Sequence, residues 1–252
     1  MLVSHRKHFI FTKSLKTAGT SVESYFERYC MPDGEWQESH GRDEYVSEAG
    51  IIGCRRPNVS GSIWYNHMSA RRIRDLISQD IWDRYFKFTV VRNPFDKLIS
   101  GFYFFENDKQ NYSYTQRLKA FARQILDRGN PIDRVEGKTE IERFRCWIQK
   151  GGEIIDRDKY LIDGQECVDY FIRFENLHEG MKHVCDRLSI PFEPSRIPEF
   201  KKGIRHDRIQ VRDYYDHETV QIVQKIYSWE LERFGYDLPK EHIVEQSAAA
   251  SC

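Results

Sequence analysis

The stretch "YFKFTVVRNPFDKLISGFYFF" (85–105) constrains the fold of this chain more than any other. An almost unbroken apolar β-run over 85–92 passes directly into a helix start, with Asn93 suited to the N-cap and Pro94 to the first helical position. Continuous apolar runs of this kind belong to central parallel strands, which are covered on both faces. Phe95, Leu98, Ile99, Phe102 and Phe105 then recur on one helical face, so strand and helix are expected to pack together.

The same alternation runs through the rest of the chain and points to an α/β fold. "HFIFT" (8–12) reads as a short buried strand, and from Thr20 a helix places Val22, Tyr25, Phe26 and Tyr29 on one face before "MPDGE" ends it. Residues 33–62, rich in Gly, Ser, Asp and Arg, show little periodicity and read as a long functional loop. Helices are expected at 69–79, 115–128, 139–149 and 176–188, a strand at 167–174, and one long final helix from Asp216 to Phe234, with Gly235 past its end. The 252 residues suffice for one sizeable core, and a single domain over 1–244 with a disordered tail at 245–252 is expected.

Charge narrows the possible partners. Lys+Arg and Asp+Glu both total 39, which weighs against a broad nucleic-acid surface and against a long polyanionic acceptor, while leaving room for a local basic pocket. No apolar run approaches the roughly 20 residues of a membrane span, and "MLVSHRKHFIF" is too short in its apolar part for a signal peptide, so a cytoplasmic location is expected. The six cysteines are scattered, with no metal-type spacing, and read as free thiols.

Three places concentrate chemistry. "KSLKTAGTS" (13–21) lies at a strand-to-helix turn, where unpaired N–H groups and the helix dipole favour an oxyanion. Lys16 supplies a mobile charge, Gly19 allows close backbone approach, and Thr17, Thr20 and Ser21 supply hydroxyls; an ordinary capped helix start is the alternative reading. Arg92, at a strand end, is suited to bidentate contact with a phosphate, and Ser100 lies off the apolar stripe roughly 10 Å along the following helix. An Arg paired with Asp96, beside a neutral Ser100, is the competing reading. His67, in "IWYNHMSARRI", has the residue type for a general base near neutral pH, with His40, Glu44 and Glu48 as rivals.

Together, "LKTAGTSVE" and "FKFTVVRNPFDKLISGFYFF" resemble the sulfotransferases that use 3′-phosphoadenosine 5′-phosphosulfate (PAPS), and the resemblance extends to "FIRFENL" and to 211–236. The pattern is more similar to the carbohydrate-type branch than to the aryl and steroid enzymes. It departs in having Leu15 where many relatives have proline. The resemblance implies a P-loop-like three-layer fold with a central, mainly parallel sheet. It further implies that Lys16, Thr17, Ala18, Gly19, Thr20 and Ser21 form the 5′-phosphosulfate loop and that Arg92 and Ser100 hold the 3′-phosphate. By the same likeness Lys202, Gly203 and Arg205, in "FKKGIRHDR", belong to a late loop over that phosphate, although a solvated basic turn is equally compatible with the residues. His67 then falls between the two cofactor motifs, where the family carries its catalytic histidine. The implied reaction moves a sulfuryl group to a hydroxyl of a carbohydrate or small metabolite and releases adenosine 3′,5′-bisphosphate (PAP), with no metal required. The 33–62 and 101–114 segments are expected to shape the acceptor site, and no sequence signal specifies an oligomeric state. A phosphoryl-transferring P-loop kinase fits less well, because Lys16 precedes Gly19 instead of following it directly before the Ser or Thr at the helix start, as in the ATP-type loop, and no clear apolar strand ends in a magnesium-binding Asp. A catalytically inactive nucleotide-binding protein is the remaining alternative.

Overall fold

A computed structural model describes residues 1–56, 61–110, 130–198 and 209–239. Strands β1 (Leu2–Ser4) and β2 (Phe9–Phe11) are followed by helix α1 (Gly19–Phe26), strands β3 (Tyr45–Ser47) and β4 (Gly50–Ile52), helices α2 (Ala70–Leu76) and α3 (Gln79–Arg84), and strand β5 (Phe86–Val91). Next come α4 (Pro94–Gln110), α5 (Glu140–Gln149), β6 (Leu161–Ile162), β7 (Gln165–Glu166), β8 (Tyr170–Arg173) and α6 (Leu177–Arg187). The last described helices are α7 (His217–Ile226) and α8 (Ser228–Phe234). Contacts divide the chain into two compact units, Met1–Arg92 with Ile154–Lys202, and Asn93–Glu153 with Gly203–Cys252.

The first unit holds a six-stranded sheet in the order β3-β4-β1-β2-β5-β8. Its core, β2-β5-β8, is parallel, and β1, β4 and β3 extend it by antiparallel pairing. Successive side chains of a strand point to opposite faces, and both faces are covered. Leu2, Phe9, Phe11, Phe88, Val90 and Ile172 pack with Val22, Tyr25 and Phe26 of α1 and Met181 and Val184 of α6. Val3, Ile10 and Ile51, one step out of phase, pack on the opposite face with Ala70, Ile73 and Trp82 of α2 and α3. The result is a three-layer α/β sandwich. Lys87, the polar break in the β5 run, is buried, and its ammonium donates to the carbonyls of Trp82 and Tyr85 at 3.0 and 2.8 Å.

The second unit is helical in its described part. Asn93 does cap α4, its Oδ1 accepting the Phe95 N–H at 3.0 Å, and Phe95, Leu98, Ile99 and Phe102 are buried as the apolar spacing predicts. Phe144 of α5 packs edge-on against Phe102 and Tyr215. Thr139 and Glu142 close a capping box on α5, and Gly235 ends α8 in the left-handed conformation at φ 61°.

Three local expectations are corrected. Residues 33–62 are not irregular throughout: Tyr45–Ser47 and Gly50–Ile52 form a hairpin that pairs with β1. Three-residue strands are too short to register as a period. The single helix expected from Asp216 to Phe234 is two helices, because buried Tyr227 leaves helical dihedrals (φ −104°, ψ 21°). The strand expected at 167–174 is narrower, Tyr170–Arg173. The helix expected at 115–128 and the tail at 245–252 lie outside the described residues. No helix among the described residues is long and apolar enough to cross a membrane.

Phe88 has no exposed surface, and its ring lies 5.7, 5.2 and 5.3 Å from those of Phe9, Phe11 and Phe26. Phe88→Ala should therefore lower unfolding free energy by about 3–5 kcal/mol. Urea unfolding measures this directly, and a loss below about 1 kcal/mol would place Phe88 outside the core.

Candidate active site

The loop between β2 and α1 is built at the carboxyl end of the parallel strands, the edge where open α/β sheets bind ligands. The Thr12 N–H donates to the Phe88 carbonyl at 3.1 Å, and the Thr89 hydroxyl donates to the Thr12 carbonyl at 2.7 Å. Ser14 then anchors the turn through its hydroxyl, which donates to the Val90 carbonyl and meets Thr17 Oγ1 at 2.7 Å. Asp156 accepts the Leu15 N–H at 2.7 Å. Lys16 and Ala18 both adopt positive φ, 58° and 56°. Left-handed backbone costs an L-residue roughly 1–2 kcal/mol, so the surrounding hydrogen bonds must hold this turn open. Turns that mix left- and right-handed residues aim successive N–H groups toward one concave side, where anions bind. Ala18 starts α1 with no side-chain cap. The alternative of an ordinary helix start capped by Thr20 or Ser21 is therefore not what the chain forms. Thr20 is half-buried, whereas Thr17 and Ser21 are buried.

Gly19 has a further reason beyond the one its sequence context suggests. A Cβ there would lie 2.8 Å from Lys13 Cγ and 3.2 Å from Lys13 Cε. The glycine makes room for a buried lysine stem. Lys13 is 2 % exposed, and its ammonium reaches Glu23 Oε2 at 2.8 Å. Arg55 Nη1 lies 3.3 Å from the same carboxylate and 2.6 Å from Glu27 Oε2, and the Met1 amino group lies 2.5 Å from Glu23 Oε1. Burial alone would raise the Glu23 carboxyl, but Lys13, the Met1 amino group and Arg55 hold it well below the usual carboxylate range.

His67 sits in the turn ahead of α2, in left-handed backbone at φ 56°. Its Nδ1 lies 3.1 Å from the Lys13 carbonyl. A carbonyl only accepts, so Nδ1 carries the proton and Nε2 is the basic nitrogen. The turn is fastened to the end of the β3–β4 hairpin. Cys54 N–H donates to the Trp64 carbonyl, and Asn66 N–H to the Cys54 carbonyl, both at 2.9 Å. Glu44 accepts the N–H groups of Ile63 and Trp64 at 3.1 and 2.7 Å, which makes it a support of the turn. The other rivals, His40 and Glu48, are exposed, Glu48 at the tip of the hairpin.

Arg92 follows β5 and donates from Nη1 to the Lys16 carbonyl at 2.9 Å, while its guanidinium stacks 4.1 Å from the centroid of Phe174. Lys16, His67 and Arg92 thus converge on one loop of the first unit through the carbonyls of Lys13 and Lys16. Ser100 is half-buried on α4 of the second unit. Lys202, Gly203 and Arg205 lie outside the described residues. Sequence reasoning passed over Lys13, Ser14, Glu23 and Asp156. Only a lysine and a glutamate inside apolar runs hinted at the buried pair, and nothing local marked Asp156.

Burial, helped by the positive charge of Lys13, pulls the His67 imidazole down to about 3. An unfolded chain protonates this histidine near its ordinary 6.5, while the folded protein resists until far lower pH. Stability from this group is complete above about 6.5 and is lost progressively as pH falls toward about 3. The thermal midpoint of the native protein should therefore fall more steeply with acidification than that of His67→Gln. Parallel curves would show that His67 titrates as an ordinary histidine.

A profile of the sulfotransferase family matches residues 1–237. No curated protein and no solved structure matches the chain. With the match spanning the loop, the His67 turn, Arg92 and the described helices of both units, the chain belongs to the sulfotransferase family.

Proposed function

We propose that this chain transfers a sulfuryl group from PAPS to a hydroxyl of a carbohydrate or small-metabolite acceptor. The observation that carries the reading is the convergence on the β2–α1 loop, where Lys13 O receives His67 Nδ1 at 3.1 Å and Lys16 O receives Arg92 Nη1 at 2.9 Å. The donor set fits PAPS: an uncapped helix start and a left-handed turn for one phosphate, a lysine beside them, and an arginine held at the adjacent strand end. The acceptor class rests on resemblance to the carbohydrate-type branch. Because the family match runs through both units, we read 1–244 as one sulfotransferase domain. The described cysteines are free thiols, in keeping with a cytoplasmic location.

When bound, PAPS supplies the sulfuryl group, and PAP departs with the electron pair of the broken S–O bond. His67 Nε2 takes the acceptor hydroxyl proton as the acceptor oxygen bonds to sulfur. With its pKa drawn down by burial, the imidazole is uncharged at neutral pH, so Nε2 is open to accept that proton. Lys16 offsets charge developing on the leaving oxygen. Loop N–H groups of 17–21, with Thr17, Thr20 and Ser21 hydroxyls, hold the 5′-phosphate, and Arg92 holds the 3′-phosphate. The family resemblance gives Ser100, and Lys202, Gly203 and Arg205 outside the described residues, a part in binding that phosphate as well.

An acceptor screen with labelled PAPS and mass-spectrometric detection tests the reading; turnover with magnesium-ATP in place of PAPS would sink it. Lys16→Ala should lower kcat on the order of 100- to 1000-fold with smaller change in donor affinity, and an unaltered kcat would remove its assigned role. Arg92→Ala should weaken PAP binding by roughly 1.5–3 kcal/mol, read by calorimetry. Unchanged binding would place the 3′-phosphate elsewhere.

A further inference from the structure

Lys13 links the β2–α1 loop to His67 from a buried position. Its stem fills the space that a Cβ on Gly19 would occupy, its carbonyl meets His67 Nδ1 at 3.1 Å, and its ammonium is fixed on Glu23 at 2.8 Å. We propose that Lys13 is a positioning residue, anchored on Glu23, which seats the phosphate-binding loop at Gly19 and orients His67 with Nε2 toward the acceptor. This rests on the reading of His67 as the base.

The geometry makes the two functions inseparable. The side chain of Lys13 packs against Gly19 and ends on Glu23 while its backbone carbonyl meets His67, so one residue bears on both the loop and the histidine. The anchor is rigid because Glu23 is wholly buried on α1 and Lys13 is 2 % exposed. Conserving the stem while deleting the ammonium therefore separates packing from charge. Methionine does this, since it is unbranched and apolar. The charged groups that act on the imidazole are Lys13 in the loop after β2, the Met1 amino group just before β1, and Glu23 on α1. Lys13 opposes protonation of the ring, so its loss should let His67 take a proton at higher pH while burial still keeps it below an ordinary histidine.

The test begins with the unmodified protein. Long-range proton–nitrogen NMR, with the His67 signal assigned by its loss in His67→Gln, should show Nδ1 protonated and Nε2 bare from about pH 8 down to about pH 5. Protonation at Nε2 instead, or a midpoint near the ordinary histidine value, would overturn the proposal. In Lys13→Met the His67 midpoint should rise by about one pH unit, and the acid limb of kcat/KM should move with it. A His67 midpoint identical in the two proteins would overturn it as well. Failure of the parent reading looks different: His67→Ala would then keep full turnover while the NMR midpoint still moved in Lys13→Met, which supports the positioning of His67 and removes its role as base.

Discussion

The ion pair between Lys13 and Glu23 is the interaction on which the organisation of the first unit turns. Both groups are withdrawn from water, and neither could stay so alone, because an unpartnered buried charge costs several kcal/mol. Glu23 lies on α1 and Lys13 stands two residues past the end of β2, so the pair ties the helix to the strand across the loop between them. Arg55 extends the tie to Glu27 one turn further along, and Arg42 joins at 3.1 Å. Buried ion pairs of this kind are weak evidence for stability, since apolar residues of similar volume often serve as well. Their directional hydrogen bonds make them good at fixing geometry, and geometry is what the left-handed turn at Lys16 and Ala18 demands.

The antiparallel half of the sheet has a role beyond covering the core. The β3–β4 hairpin and Cys54 provide the backbone rail along which Trp64 and Asn66 bond, and Glu44 grips the start of that segment. His67 is thereby held between two supports, the hairpin behind it and the Lys13 carbonyl beside it. The parallel strands position the β2–α1 loop and Arg92, and the antiparallel strands position the histidine.

The β5 run, the Asn93–Pro94 helix start and the α1 stripe were legible because each rests on local periodicity or capping chemistry. The places of Lys16 and Arg92, in the loop after β2 and at the end of β5, were legible for the same reason, since each follows a recognisable β-run. The β3–β4 hairpin was hidden, because three-residue strands formed of Tyr45–Ser47 and Gly50–Ile52 show no usable alternation. Gly19 has a further reason that only the folded chain shows, the packing of Lys13 against it. Tyr227 interrupts the last helical run while the flanking residues keep an acceptable helical pattern, so the break depends on burial of that ring. Long-range partners such as Asp156 leave no trace near the residues they support.

The bond from Leu15 N–H to Asp156 spans 141 positions in the sequence. β5 likewise finds its outer parallel partner only in β8, at Tyr170–Arg173. During synthesis, therefore, the β2–α1 loop leaves the ribosome long before Asp156, and the intervening stretch includes all of α4 and α5. The motif is not a module that folds on its own. It matures late, as part of a high-contact-order sheet, and a nascent chain halted before Asp156 would carry the recognisable sequence without the tether at Leu15.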